Sequence, residues 1–221
     1  MPRRIVVQTV DGKLVVLGGK SRSGKTAYTA QAVVKEKRVI SWDPHDQWNR
    51  LPGFKKITSQ RELLEAIKRP GPAKIAFLVE DHLEDRFEFF CICARSWAKH
   101  HGRCVIIAEE LGDVTTAGKA AEQWGALIRI TLKLGSDIYA ISQRWAEADK
   151  TALGNPTEII CFSMMPMDVD YMAKRTGLDK AELAGLRKVE TATTITCPYV
   201  RLVWDSNQVI RDKLVFRKKV K

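Results

Sequence analysis

One stretch constrains this chain more than any other: LVVLGGKSRSGKTAY, Leu14 to Tyr28. Gly19, Gly24, Lys25 and Thr26 fit the spacing G-x-x-x-x-G-K-[ST]. The pattern requires a strand before the loop and a helix after it. KLVVLG reads as the strand, and KTAYTAQAVVK as a helix from Lys25 to about Lys35. The loop residues Gly19, Lys20, Ser21, Arg22, Ser23 and Gly24 are expected to wrap phosphates with backbone N–H groups, and the helix N-terminus adds positive potential. Lys25 should reach the β- and γ-phosphates, and the Thr26 hydroxyl should ligate magnesium. Lys20 and Arg22 add positive charge to the loop, or simply face solvent.

The rest of the chain repeats short β-branched runs and longer helical stretches, the pattern of an α/β fold with a largely parallel sheet. Expected strands are RIVVQTV, joined to the P-loop strand by a turn at Asp11-Gly12, then RVISWD (Arg38 to Asp43), KIAFLV (Lys74 to Val79), RCVIIAEE, DIYAIS and TEIICFSM. Ser59 and Glu62 form a capping box for the helix QRELLEAIK. A long helix covers about Glu84 to Lys99, with Phe87, Phe90, Ala94 and Trp97 on one face. AEQWGALIRITLKLG is a helix stopped by Gly135. Two short helices follow, then YVRLVW and VIRDKLVF with a turn at Ser206-Asn207. The 221 residues suit a single P-loop domain, with a core of about 13–187 and a short β-rich C-terminal extension of about 188–221.

In parallel sheets ligands sit at the carboxyl ends of strands, and three further strand ends carry polar groups. VIIAEE places Glu109 and Glu110 after four apolar residues. Glu109 suits the magnesium side and Glu110 the general base that polarises the attacking water. A second acid favours hydrolysis over a passive nucleotide switch. DIYAISQR puts Gln143 where a side chain can sense the γ-phosphate. Asp43, in SWDP, can orient Lys25, the magnesium or its waters, or cap a turn before Pro44. Arg129 and Lys133 lie four apart on one helix face. In a ring, such a cation can reach a neighbour's site as an arginine finger, and Arg144 competes for that role.

Lys and Arg number 37 against 26 acids, a net charge of +11, which favours an anionic partner such as nucleic acid. The densest basic run is FRKKVK, Phe216 to Lys221. Five cysteines show no CxxC pair, and Cys91 and Cys93 would point to different faces of a helix, so reduced thiols are expected rather than a zinc site. No apolar run reaches the length of a membrane span, and the N-terminal apolar run is too short for a secretory signal, so an intracellular protein is expected.

The order of these pieces resembles the HerA/FtsK superfamily of P-loop ATPases: a P-loop, a strand ending in DP, a strand ending in acids, then GSDIYAISQR. LGNPTEIICFSMMPMDVDYMAKRTGL continues the likeness, which covers about Leu14 to Leu186. Within the superfamily the short chain, with AEELGDVTTAGKA and LIRITLKLG, looks most like the genome-packaging ATPases of tailless, membrane-containing icosahedral (tectivirus-like) phages. The superfamily usually has Asp where this chain has Glu109, and Lys133 in place of arginine moves the expected finger to Arg129.

The resemblance implies a magnesium-dependent ATPase that pumps double-stranded DNA into a preformed capsid. It implies a hexameric or pentameric homo-oligomeric ring, contact with capsid vertex proteins, assembly in the host cytoplasm and retention at the packaging vertex. Three rivals share the P-loop. A filamentous-phage-type assembly or export ATPase normally adds a membrane span. A nucleotide-gated DNA-binding protein would turn over little. A small-molecule kinase would bring a lid of phosphate-clamping arginines and little use for Glu110.

Overall fold

The computed structural model describes residues 11–117 and 121–218. The strand expected at RIVVQTV and the last three residues of the basic tail lie outside that range. Within it, the elements in chain order are β1 (Leu14–Gly18), α1 (Lys25–Ala32), β2 (Arg38–Trp42), β3 (Phe54–Ile57), α2 (Gln60–Lys68), β4 (Ala73–Phe77) and α3 (Leu83–His101). They continue with β5 (Val105–Ala108), α4 (Glu122–Lys133), β6 (Asp137–Ser142), α5 (Thr151–Gly154) and β7 (Glu158–Cys161). The chain then forms α6 (Pro166–Thr176), α7 (Lys180–Gly185), β8 (Val189–Glu190), β9 (Thr194–Val203) and β10 (Gln208–Arg217). Short 3-10 turns at Trp48–Arg50 and Leu111–Asp113 follow β2 and β5.

The strands form one sheet in the order β10-β9-β7-β1-β6-β5-β2-β4-β3, with β8 paired to β9. All neighbours from β7 to β3 are parallel, while β9 and β10 run antiparallel. This is the α/β class expected, with helices on both faces and an antiparallel C-terminal hairpin. β1 is buried along its whole length, as a central parallel strand covered on both faces must be. Its side chains alternate between two cores: Leu14 and Val16 enter one, Val15 and Leu17 the other. The first core holds an aromatic cluster in which Trp42 meets Phe87 at 5.3 Å and Phe90 at 5.9 Å between ring centroids. Phe87, Phe90, Ala94 and Trp97 of α3 are all buried, as their helical spacing requires. The second core lies under α1 and the C-terminal hairpin.

Local signals set the element ends. The Ser59–Glu62 capping box opens α2, and Gly135 follows α4 with φ +75°. Acids at Glu84 and Asp85 in the first turn and the Lys99 cation in the last oppose the dipole of α3. α1 stops at Ala32 rather than Lys35, and β9 begins at Thr194, five residues before the expected Tyr199. The edge strand β3, which was not expected, carries exposed Lys55 and Lys56 and no alternating apolar pattern. All five cysteines are free and buried. Among the described residues, no helix is long and apolar enough to cross a membrane.

Candidate nucleotide-binding site

The sheet order puts four of the singled-out strand ends side by side. β1 leads into the P-loop, β6 into Gln143, β5 into Glu109-Glu110 and β2 into Asp43, and these strands are successive neighbours. At about 4.8 Å per strand, the acids of β5 stand two strand widths from the P-loop with Gln143 between them.

The loop has the cradle shape its glycines predict. Gly24, at the start of α1, has φ +115°, and Arg22 has φ +59°. A Cβ on Gly19 would lie 2.6 Å from Ser23 Oγ and 2.8 Å from Phe162 Cβ, so only glycine fits. The Lys20 amide donates to Ser163 O at 2.7 Å, tying the loop to the segment after β7. Lys20, Ser21 and Arg22 are exposed, whereas Ser23 is buried with its hydroxyl unpaired inside the protein. Lys25 is 5% exposed, and its ammonium donates to Gly19 O at 2.6 Å and Lys20 O at 3.2 Å. Burial lowers its pKa, while Glu110 and Glu109 push the other way.

The two acids point in different directions. Glu109 faces the start of α1: its Oε1 lies 3.1 Å from the Thr26 hydroxyl and accepts the indole N–H of Trp48 at 3.1 Å. Glu109 is buried, which raises its pKa to about 7; Lys25 pulls it down and Glu110 adds to the rise. Glu110 adopts a left-handed backbone, φ +49°, which turns its side chain toward β6. There the Gln143 amide nitrogen donates to Glu110 Oε1 at 2.7 Å.

Asp43 is buried, and it spends both carboxylate oxygens on backbone. Oδ1 accepts from Gln47 N at 2.8 Å, and Oδ2 accepts from Trp48 N at 2.9 Å and Asn49 N at 3.3 Å. It thereby holds the 3-10 turn that delivers Trp48 to Glu109. Gln47, on the same turn, places its Oε1 3.1 Å from the Thr26 hydroxyl. Trp145, just after Gln143, donates its indole N–H to Leu17 O at 2.9 Å and packs against Gly18, under the root of the P-loop.

The expected finger residues are elsewhere. Arg129 and Lys133 are exposed on α4, lining a cavity of about 840 Å³ with Lys13, Leu14 and Thr157. That is the amino-terminal end of β1 and β7, opposite the P-loop, so neither cation reaches its own chain's site. Arg144 pairs with Glu147 at 2.8 Å.

Ser21 to Ala27, Glu110 and Gln143 line a cavity of about 640 Å³, joined by His45, Gln47, Lys188, Ile195, Cys197 and Phe216. Those last six carry no motif, and the capped turn and the C-terminal hairpin bring them in from distant sequence. The donor set suits a triphosphate with a hard cation. The loop amides and the Lys25 ammonium are donors of the type phosphate takes, and the oxygens of Thr26 and Glu109 are ligands of the type magnesium takes. Among the described residues no cluster of three or more His, Cys, Asp or Glu forms a metal cage. Magnesium needs none where phosphates and water fill its remaining positions.

No protein-family model matches the chain. Protein P9 of Pseudoalteromonas phage PM2 is 34% identical over 135 residues, 60% of each chain. The genome-packaging NTPase B204 of Sulfolobus turreted icosahedral virus 2, solved with ATP-gammaS, has a TM-score of 0.71 at 15% identity, covering 93% of this chain and 98% of B204. The same NTPase with AMPPCP gives 0.68 at 16% identity, covering 94% and 100%. B204 of Sulfolobus turreted icosahedral virus, a DNA-packaging ATPase, gives 0.63 at 14% identity, covering 96% and 98%. The chain therefore has a P-loop NTPase fold of the kind built by the B204 packaging NTPases and is similar in sequence to protein P9 of phage PM2.

Proposed function

We propose that this chain is a magnesium-dependent ATPase that drives double-stranded viral DNA into a preformed capsid, acting as a homo-oligomeric ring. The observation that carries the hydrolytic part is the Gln143–Glu110 hydrogen bond of 2.7 Å, in the cavity that also holds Lys25 and Thr26. A carboxylate steered by an amide from the neighbouring strand is placed to take a proton from a water attacking the γ-phosphate. The amide that holds it is itself within the cavity, so Gln143 both orients the base and senses the phosphate. Lys25 and the P-loop amides hold the β- and γ-phosphates, and Thr26 and Glu109 would hold the ion. Magnesium supplies charge neutralisation on the phosphate oxygens. Arg129 of a neighbouring subunit completes the site as a finger, a reading supported by its exposure at the far end of the sheet.

The packaging role is supported by the fold shared with B204 and by the sequence likeness to P9. The net charge of +11 supports sequence-independent contact with DNA phosphates. Capsid vertex proteins, assembly in the host cytoplasm and retention at the vertex belong to the same proposal. Phosphate release measured with and without double-stranded DNA tests it. Glu110→Gln should lower turnover by about 100-fold or more while ATP still binds. Undiminished turnover would remove the base assignment, and indifference to DNA would remove the motor.

A further inference from the structure

The phosphate cradle accounts for one side of the cavity and leaves the other unexplained. β7 ends at Cys161, whose partner on β9 is Val200, yet β9 begins at Thr194. The first six residues of β9 therefore run beyond the carboxyl edge of β7, an overhang of about 20 Å. β10 accompanies them as far as Arg217. The hairpin thus stands up beside the P-loop like the raised side of a tray.

Strand alternation decides what this side presents. Ile195, Cys197 and Tyr199 share a face with their cross-strand partners Phe216, Leu214 and Asp212. The lower part of that strip is buried against the loop. A Cβ on Gly24 would meet Cys197 Cβ at 3.1 Å and Leu214 Cδ1 at 3.4 Å. The upper pair, Ile195 and Phe216, is only half-buried and opens onto the same cavity as the P-loop. Ion pairs brace this end of the hairpin: Glu190 of β8 binds Lys218 at 2.7 Å and Lys188 at 3.5 Å.

The cavity is therefore two-sided in chemistry, with N–H and ammonium donors below and an aromatic ring with a branched aliphatic chain above. A ligand matching both carries a polyphosphate at one end and a flat apolar ring system at the other. The geometry points to the Ile195–Phe216 pair as the base-binding wall of the site, packing the aromatic base of a nucleoside triphosphate whose phosphates lie in the P-loop. This rests on the nucleotide reading of the P-loop, and it makes the C-terminal hairpin part of the binding site.

Binding of MgATP and of inorganic tripolyphosphate, each titrated calorimetrically, separates the two layers. Phe216→Ala should weaken ATP about tenfold, the order expected for losing one base–aromatic contact. Its affinity for tripolyphosphate should stay within about twofold of the parent chain. Phe216→Tyr should retain ATP affinity. Ile195→Ala, a milder change, should move ATP in the same direction and serves if Phe216→Ala does not fold. Equal weakening of both ligands, or of neither, overturns the wall. A parent chain that binds neither ligand overturns the phosphate-binding reading itself, and the wall with it.

Discussion

Glu109 stands buried between the Thr26 hydroxyl and the Trp48 indole, and burial raises its pKa from 4.5 to about 7. The folded chain then holds a proton that the unfolded chain releases at lower pH. Stability of the metal-free protein should fall as pH rises from about 4.5 through about 7, then level off. Glu109→Gln keeps an acceptor for Trp48 and removes the titrating group. It should abolish this slope and be more stable than the parent at pH 8 by an amount on the order of 3 kcal/mol. Chemical denaturation across pH in the presence of a chelator measures this. A parallel slope in both proteins would show that the proton sits elsewhere. Gly24 makes a second residue-scale prediction. Its φ of +115° strains any residue with a side chain, and a methyl group there would press on Cys197 Cβ at 3.1 Å. Gly24→Ala should cost about 1–3 kcal/mol, seen as a lower melting temperature together with weakened ATP binding.

At the scale of elements, the 3-10 turn after β2 links two strand ends. Asp43 accepts three amide N–H groups of the turn, and the turn carries Trp48 to Glu109. Asp43→Ala strips those donors of their partner and should destabilise the protein by about 1–3 kcal/mol, measured by thermal unfolding. Hydrolysis should fall with it, because Glu109 loses the contact that fixes it. How much of the site was legible in the sequence follows from such connections. Gly19 to Thr26 could be read because one continuous segment both builds the cradle and faces the ligand. Glu109, Glu110 and Gln143 could be read because each ends an apolar run. That β6 lies between β1 and β5, bringing Gln143 to Glu110, is a matter of strand order, and no local pattern carries it. Trp48 carries no local signal, since its partner is a carboxylate 61 positions away. Phe216 read as the last residue of an ordinary strand and Ile195 fell before the expected one, because the register that lifts them past β7 is set by pairing with other strands.

At the scale of the whole molecule, the two ends of the sheet carry different groups. The carboxyl end carries the P-loop cavity, and the amino end carries Arg129 and Lys133. A ring that sets one subunit's amino end against its neighbour's carboxyl end would complete each site with a cation from next door. Mixing Arg129→Ala subunits with Lys25→Ala subunits, each inactive alone, should then restore part of the ATPase activity at some interfaces. No recovery at any ratio would count against a shared site. DNA-stimulated turnover should also fall steeply between low and moderate salt, because a basic surface holds DNA largely through displaced counterions.

The strand that precedes the P-loop lies in the middle of the sheet, and it is made well before the strands that flank it. β1 pairs with β6 and β7, whose partner residues lie more than 120 positions further along the chain. Phe216, which closes the far side of the cavity, comes 190 residues after Thr26. A ribosome adding about 5–20 residues per second needs roughly 10–40 s to cover that distance. For much of that interval β1 is an apolar strand without its neighbours, and the P-loop has no finished cavity to belong to. The cavity is therefore finished only after β9 and β10 are made: a chain broken off before that hairpin would carry the full phosphate-binding motif and lack the finished pocket.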